Sequence, residues 1–271
     1  MINAVMKTQN DYILGNKKYW DEVTPLHEKS AFYDVESFKK GKLTILPLEI
    51  EEIGPVAGKS FLHLQCHFGM DTMSWTRLGA KATGVDLSDK SIKTAKKLAG
   101  ELNLDTRFIC SDIYKLPEIL HEKFNIVYTT GGVLCWLPDL TKWAKVIGHF
   151  LKPKGTFYLR DDHPFAVILN DDLKVENNYF HIEKPLIGHP SGSYAEANTK
   201  LTKETYEWNH SISDIINSLI NAGLTIEFFH EFPHLGWARF PKLMKKDSDG
   251  RYRFKNKKIN IPLMFSLKAR Q

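Results

Sequence analysis

Between Lys59 and Asp86 the chain reads KSFLHLQCHFGMDTMSWTRLGAKATGVD. Phe61, Leu62 and Leu64 form a short apolar run suited to a strand buried on both faces. Gly69 permits a sharp turn, and Met70, Met73 and Leu78 then give a partial helical stripe. Leu78-Gly79 ends that helix with the residue that most easily adopts a left-handed conformation. Lys81–Val85 returns as a parallel strand with Asp86 at its carboxyl end. The result is a βαβ unit whose turn faces a helix N-terminus, a place suited to an anionic group. An acid about 20 residues beyond such a turn is where folds of this type hold a ribose hydroxyl. A nucleoside pocket is expected here.

The alternation continues downstream. Ser88 is placed to cap a helix carrying Ile92, Ala95, Ala99 and Leu102 on one face, with lysines on the other. Thr106–Cys110 and Phe124–Thr130 read as a third and a fourth strand, the latter followed by Gly131-Gly132. Pro138 opens a helix with Leu140, Trp143, Ala144, Ile147 and Phe150 on one face. LKPKG is a turn and Thr156–Arg160 a fifth strand. Strands and helices alternating in this way predict a doubly wound, mostly parallel sheet. Asp161–Trp208 loses the periodicity and is too long for an ordinary loop, so it reads as an insertion or cap. Helix returns at Ser211 with Ile212, Ile215, Ile216, Leu219 and Ile220. Leu224–Phe229 and Ile261–Lys268 read as strands joined by a basic connection that turns at Asp247-Ser248-Asp249-Gly250, and they could add an antiparallel pair.

Upstream, Asn10–Phe38 is rich in rings, among them Tyr19, Trp20, Phe32, Tyr33 and Phe38. Helical segments broken near Pro25 are expected, packed on the domain or forming a lid over its pocket. Thr44–Ile53 reads as another helix. The division is therefore 1–58 as a helical extension and 59–271 as the main domain, with the insertion at about 161–208. The apolar share of 42% over 271 residues suffices for a packed core, and a net charge of +5 permits an acidic ligand without requiring one. Cys66, Cys110 and Cys135 make no metal-ligand pattern and suit a reducing compartment. Met1–Leu14 lacks the apolar core of a signal peptide, and no apolar run reaches membrane-spanning length. A cytoplasmic protein with no metal and no membrane partner is expected.

On these residues the chain resembles the class I S-adenosylmethionine-dependent methyltransferases over about Lys59–Lys268. LHLQCHFGMDTMSWTRLGAKATGVDLS and WLPDLTKWAKVIGHFLKPKGTFYLRDDHP are similar to a bacterial methyltransferase-like group of unassigned substrate. The resemblance implies a Rossmann-like, seven-stranded sheet with an antiparallel C-terminal strand, and S-adenosylmethionine as cofactor. In that family the first turn commonly reads D-x-G-x-G-x-G. Here His63, Gln65, His67 and Gly69 stand at the matching positions, and only the last glycine survives. By resemblance Asp86 would accept from the ribose hydroxyls, Leu87 would pack on adenine, Asp112 would accept from its amino group, and Ile113 would read the ring edge. Thr130 and Gly131 would lie near the methyl-bearing sulfur, while Gln65, Cys66, His67 and Gly69 would line the methionine end. Taken singly, Asp86 also reads as a helix cap and Asp112 as a turn former.

The acceptor side is less marked. The TTGG after the fourth strand is not the N/D-P-P-Y/F of amino-group methyltransferases acting on adenine or glutamine, which points toward a small-molecule acceptor. His163 is a candidate base, and Trp20, Tyr33, Tyr194, Trp208 and His210 are candidate substrate contacts, each with a packing or capping alternative. Two other functions stay open: a cofactor-binding protein without catalysis, and RNA binding through the basic stretch from Arg239 to Lys258. Asp247 and Asp249 interrupt that stretch, so a solvated hairpin is the simpler reading. Oligomeric state is not legible.

Overall fold

The computed structural model describes residues 7–271; the leader and extension readings for Met1–Met6 lie outside them. Helices α1 (Gln9–Lys29), α2 (Val35–Lys39) and α3 (Pro47–Ile53) precede the first strand. Then follow β1 (Ser60–Leu64), α4 (Met70–Arg77), β2 (Lys81–Asp86), α5 (Asp89–Glu101), β3 (Arg107–Cys110) and β4 (Phe124–Thr130). α6 (Leu140–Phe150), β5 (Leu151–Asp162), α7 (Pro164–Val167), β6 (Leu186–Gly188) and β7 (Thr205–Glu207) come next. The chain ends with α8 (Ile212–Asn221), β8 (Thr225–Phe232), β9 (Met244–Lys246), β10 (Tyr252–Phe254) and β11 (Met264–Arg270).

Seven strands make one sheet in the order β3-β2-β1-β4-β5-β11-β8. β1 through β5 pair in parallel, with Phe61 opposite both Ala82 and Ile126, and β11 enters antiparallel between β5 and β8. The pleat sorts side chains onto two faces. Leu62, Leu64, Val127 and Phe157 meet the apolar faces of α6 and α8, including Trp143, Ile147, Ile215 and Leu219. Phe61, Ile126, Tyr128 and Tyr158 meet Trp75 of α4 and Ile53 of α3. Gly69 is required twice over. Its φ of +79° sets the entry to α4, and a Cβ there would collide with the ring of Phe108.

Several local expectations change. α1 runs unbroken through Pro25, because a proline in the last turns forfeits a single backbone bond; one turn up, Thr24 Oγ1 donates to the Trp20 carbonyl at 2.6 Å. α3 starts at Pro47 rather than Thr44, with the Glu49 carboxylate accepting from the Leu46 N–H at 2.7 Å. LKPKG is not a free turn. β5 spans it, with a register shift against β4, and continues through Asp161 and Asp162. The 161–208 stretch holds the short α7 and the β6–β7 hairpin, and β7 is pinned to α1. There Asn16 Nδ2 donates to the Tyr206 carbonyl at 2.7 Å, and Asn16 Oδ1 accepts from the Tyr206 N–H at 2.8 Å. No helix among the described residues is long and apolar enough to cross a membrane.

Candidate functional site

The carboxyl ends of β1, β2 and β3 meet the turn after β1. In that turn Gln65 has φ +59° and His67 φ +50°. The backbone thus follows the left-handed path that glycine normally supplies, although two side chains stand on it, at a cost of about 1–3 kcal/mol for each such residue. Both side chains are engaged. Gln65 Nε2 donates to the Val133 carbonyl at 3.1 Å, which leaves Gln65 Oε1 buried without a partner. His67 places one ring nitrogen 3.0 Å from Ser91 Oγ and the other 3.0 Å from His27 Nδ1 on α1. His27 Nε2 in turn lies 3.1 Å from Ser193 Oγ in the insertion. Burial drives His27 down to about 4 and holds His67 well below the usual imidazole range, so the pair is neutral at pH 7.

Asp86 ends β2 half-buried. One oxygen accepts from the His67 N–H at 2.7 Å and the other from the Ser88 N–H at 2.9 Å. A carboxylate has about four acceptor positions, so about two remain. Burial pushes Asp86 up to about 6 against these bonds. Beyond it lies a cleft of about 380 Å³. Leu87, Cys110, Ser111 and Asp112 form one wall; Ile13, Leu14 and Lys17 of α1 form the other. Asp112 Oδ1 accepts from the Tyr114 N–H at 2.9 Å, and Oδ2 has no partner among the described residues. An apolar slot with one acid at its edge suits a flat ring bearing an amino group.

Other candidates lie elsewhere. Cys66 is sealed beneath the turn against Phe68, Ala95 and Phe108, so its thiol faces the core and not the cleft. The Ile113 side chain belongs to the main core. Thr130 Oγ1 donates inward to Glu49 at 3.1 Å, while Gly131, at φ +80°, leaves the end of β4 exposed. Trp20 and Tyr33 sit on the turn, their rings 5.1 Å and 5.5 Å from that of His67. The Tyr33 hydroxyl is hydrogen-bonded to that of Tyr194, which carries the wall into the insertion.

Three expectations are overturned. Trp208 is buried, donates from Nε1 to the Glu183 carbonyl at 3.0 Å, and presents no face to a substrate. His210 is buried, with Nε2 2.7 Å from the Leu137 carbonyl and its ring stacked on His181. His163 caps α7, its Nδ1 accepting from the Phe165 N–H at 3.1 Å, while Nε2 lies 3.0 Å from Glu231 Oε1. Neither nitrogen is left for a substrate proton. Within the basic stretch, Asp247 and Asp249 hold three of the nine cations: Arg253 pairs with both, Lys245 with Asp247, and Arg251 with Asp249.

Asp161-Asp162-His163 reads from the sequence as a candidate acceptor-side run; the structure joins Asp162 instead to Arg160 in a second cluster. Arg160 and Asp162 alternate on β5 and therefore share the face opposite Asp161 and His163. Arg160 Nε lies 3.2 Å from the buried Glu49, and the Trp237 indole N–H donates to Asp162 at 3.3 Å. The signal was present in RDDHP at a strand's carboxyl end, once the strand is known to extend to Asp162.

Residues 62–159 match a family described as a methyltransferase domain. A ubiquinone biosynthesis O-methyltransferase from Nitrosococcus oceani is 29% identical over 147 residues, covering 52% of this chain and 55% of that protein. The chain thus spans about half the length of the curated relatives it matches. Among solved structures, an S-adenosylmethionine-dependent methyltransferase from Mesorhizobium loti matches with a TM-score of 0.56 at 18% identity, covering 86% of this chain and all of that one. One from Clostridium acetobutylicum gives 0.57 at 15% identity, covering 93% and 98%. At such identities the likeness shows the fold, a seven-stranded Rossmann-like sheet.

Proposed function

We propose that this chain, which carries a class I S-adenosylmethionine-dependent methyltransferase domain, binds S-adenosylmethionine across the ends of β1–β4 and methylates a small-molecule acceptor. The observation that carries the reading is the cleft between α1 and the ends of β2 and β3, with Leu87 on its wall and Asp112 Oδ2 unspent at its edge. The residues fit the cofactor at both ends. Asp86 has acceptor positions left for two ribose hydroxyls, and Asp112 Oδ2 suits the adenine amino group. At the amino-acid end, the orphaned Gln65 Oε1 supplies an acceptor for an ammonium.

When bound, the cofactor supplies an electrophilic methyl carbon on a sulfonium. The protein's own task is to hold, orient and keep dry. α1 roofs the site, its Trp20 and His27 locking onto His67 and thereby excluding water from the turn. Holding an acceptor in line at about 3 Å contributes roughly 7–11 kcal/mol of the barrier. A small-molecule acceptor is supported by the likeness to the ubiquinone biosynthesis O-methyltransferase of Nitrosococcus oceani.

Calorimetric titration with S-adenosylhomocysteine tests the reading. Asp86→Asn is the more informative variant: it keeps an acceptor for one of the His67 and Ser88 N–H groups, which bond to different carboxylate oxygens, whereas Asp86→Ala strips both. Losing charge-assisted bonds worth about 1.5–3 kcal/mol weakens affinity about 10–100-fold. Unchanged affinity in Asp86→Asn, or no binding by the unmodified protein, overturns it.

A further inference from the structure

We infer that Asp162, at the carboxyl end of β5, takes the proton from a phenolic acceptor held between Arg160 and the rings of Trp237, Tyr194 and Tyr33. The inference rests on the methyl-transfer reading above and deepens it.

The two adjacent acids of β5 are differently engaged. Asp161 is buried and accepts from the backbone N–H groups of Gly132, Val133 and Leu134, so it braces the turn after β4 and has nothing left to give. Asp162 points to the other face, is only half-buried, and receives a single side-chain bond, from the Trp237 indole. Arg160, two residues earlier on the same face, brings Nη2 within 3.7 Å of the space where a Gly131 Cβ would stand. Gly131 has no such atom, so the guanidinium borders the open end of β4. That end is where the family resemblance sets the reacting sulfur. A run of rings leads from Asp162 back toward the cofactor turn. Trp237 and Tyr194 have ring centroids 6.5 Å apart, Tyr194 and Tyr33 share a hydroxyl bond, and Tyr33 lies 5.5 Å from His67.

The lining selects the acceptor's chemistry. Three rings offer flat apolar faces, which suit an aromatic ring. Arg160, paired through Nε with Glu49, leaves its Nη groups to donate to an oxygen as it gains negative charge, a bond that an ammonium cannot accept. The ionisable groups nearest Asp162 are Asp161 and Arg160 on its own strand, Arg239 after β8, and Cys135 after β4. Burial first, then the Asp161 charge, raises Asp162 to about 7, partly offset by Arg160 and the Trp237 bond. A base at that level is matched to the proton of a phenol, whose pKa is about 10, and is too weak for an aliphatic alcohol. In the step, the acceptor's O–H proton passes to an Asp162 oxygen, and the oxygen lone pair forms the new bond to the methyl carbon. The carbon–sulfur bond breaks with its electrons going to sulfur, and Asp162 then releases its proton to water.

Two independent readouts test this. In protein labelled with 5-fluorotryptophan, the Trp237 fluorine signal, assigned by its loss in Trp237→Phe, is expected to titrate near pH 7 and to stop titrating in Asp162→Asn. With S-adenosylhomocysteine bound, catechol is expected to bind in preference to benzylamine. Asp162→Asn should keep its S-adenosylhomocysteine affinity within about twofold while labelled methyl transfer to catechol falls by roughly 10²–10⁴-fold. Should Asp162→Asn fail to fold, Trp237→Phe serves instead: losing the donor that favours the carboxylate moves the acid limb of the rate–pH profile upward. A Trp237 signal that does not titrate, or that still titrates in Asp162→Asn, overturns the assignment of the base. Preference for benzylamine, or no catechol binding, overturns the phenolic class. Failure of the unmodified protein to bind S-adenosylhomocysteine would instead overturn the function from which the inference starts.

Discussion

Gln65 and His67 show how a turn can keep its path after losing its glycines. Both retain positive φ, and both are fastened by side-chain bonds that glycine could not make. At position 65 one bond of about 1 kcal/mol stands against the backbone strain and a buried orphan oxygen, while glycine would lose more backbone entropy on folding. Gln65→Gly is therefore expected to leave stability unchanged or to raise it. Gln65→Val keeps the strained conformation, adds a β-branch that clashes there, and removes the bond to Val133, so it should cost about 2 kcal/mol or more. Urea denaturation of the two variants side by side distinguishes the cases; equal midpoints would show that the turn does not depend on this conformation. The sequence shows the missing glycines plainly but not the retained φ, because conformation at a single residue is decided by what its side chain can reach across the fold.

α1 is the element whose role the sequence left open between packing and lid; its contacts pack it on the domain, and its reach to the first turn is what a lid would use. It packs on α5, is clamped to β7 through Asn16, and reaches the first turn through Trp20 and His27. The rings were legible as too numerous to leave in water; their arrangement was not, since partners such as Trp136 and Tyr194 lie more than a hundred residues away. Breaking at Pro25 was the natural expectation from local chemistry, and tertiary anchoring on both sides of the proline overrides it. Asn16 is the point at which to test the lid. Its paired amide bonds copy those between two strands, and Asn16→Ala leaves the Tyr206 N–H and carbonyl unpaired in a buried place, at about 1–3 kcal/mol for each group. The expected outcome is faster proteolysis within α1 and faster dissociation of S-adenosylhomocysteine in stopped flow, with the α6–α8 side of the core unchanged. An unaltered dissociation rate would leave α1 as packing alone.

At the scale of the whole molecule, the sheet order was readable because each strand of the parallel half announces itself by an apolar run ending in turn chemistry, and the amphipathic faces of α5, α6 and α8 leave one way to cover it. The long 161–208 stretch was not readable, since β6 and β7 are three residues each and owe their pairing to α1 rather than to local pattern. Burial of ionisable groups is likewise a property of the assembled molecule, and it sets the response to acid. His27, His210 and His234 are lowered to about 4 and His63 to about 3 by burial, and His67 lies well below its usual range. Each depressed histidine contributes stability above its unfolded value of about 6.5, lost as pH falls toward its folded value. Asp71 and Asp86, raised to about 6, and Asp162, raised to about 7, act oppositely and favour the folded state on acidification. Asp112, Asp161 and Glu207 are raised by burial as well, and His163 is lowered. Between about pH 6 and 5 the unfolded chain takes up protons on the histidines that the native state refuses, and this outweighs the native uptake on the raised carboxyls, so stability should fall over that interval. Urea midpoints at pH 7 and pH 5.5 measure it directly. A midpoint that rises on acidification would mean that the carboxylates outweigh the histidines, and that the cofactor site, where Asp86 and His67 meet, is electrostatically the reverse of the arrangement described.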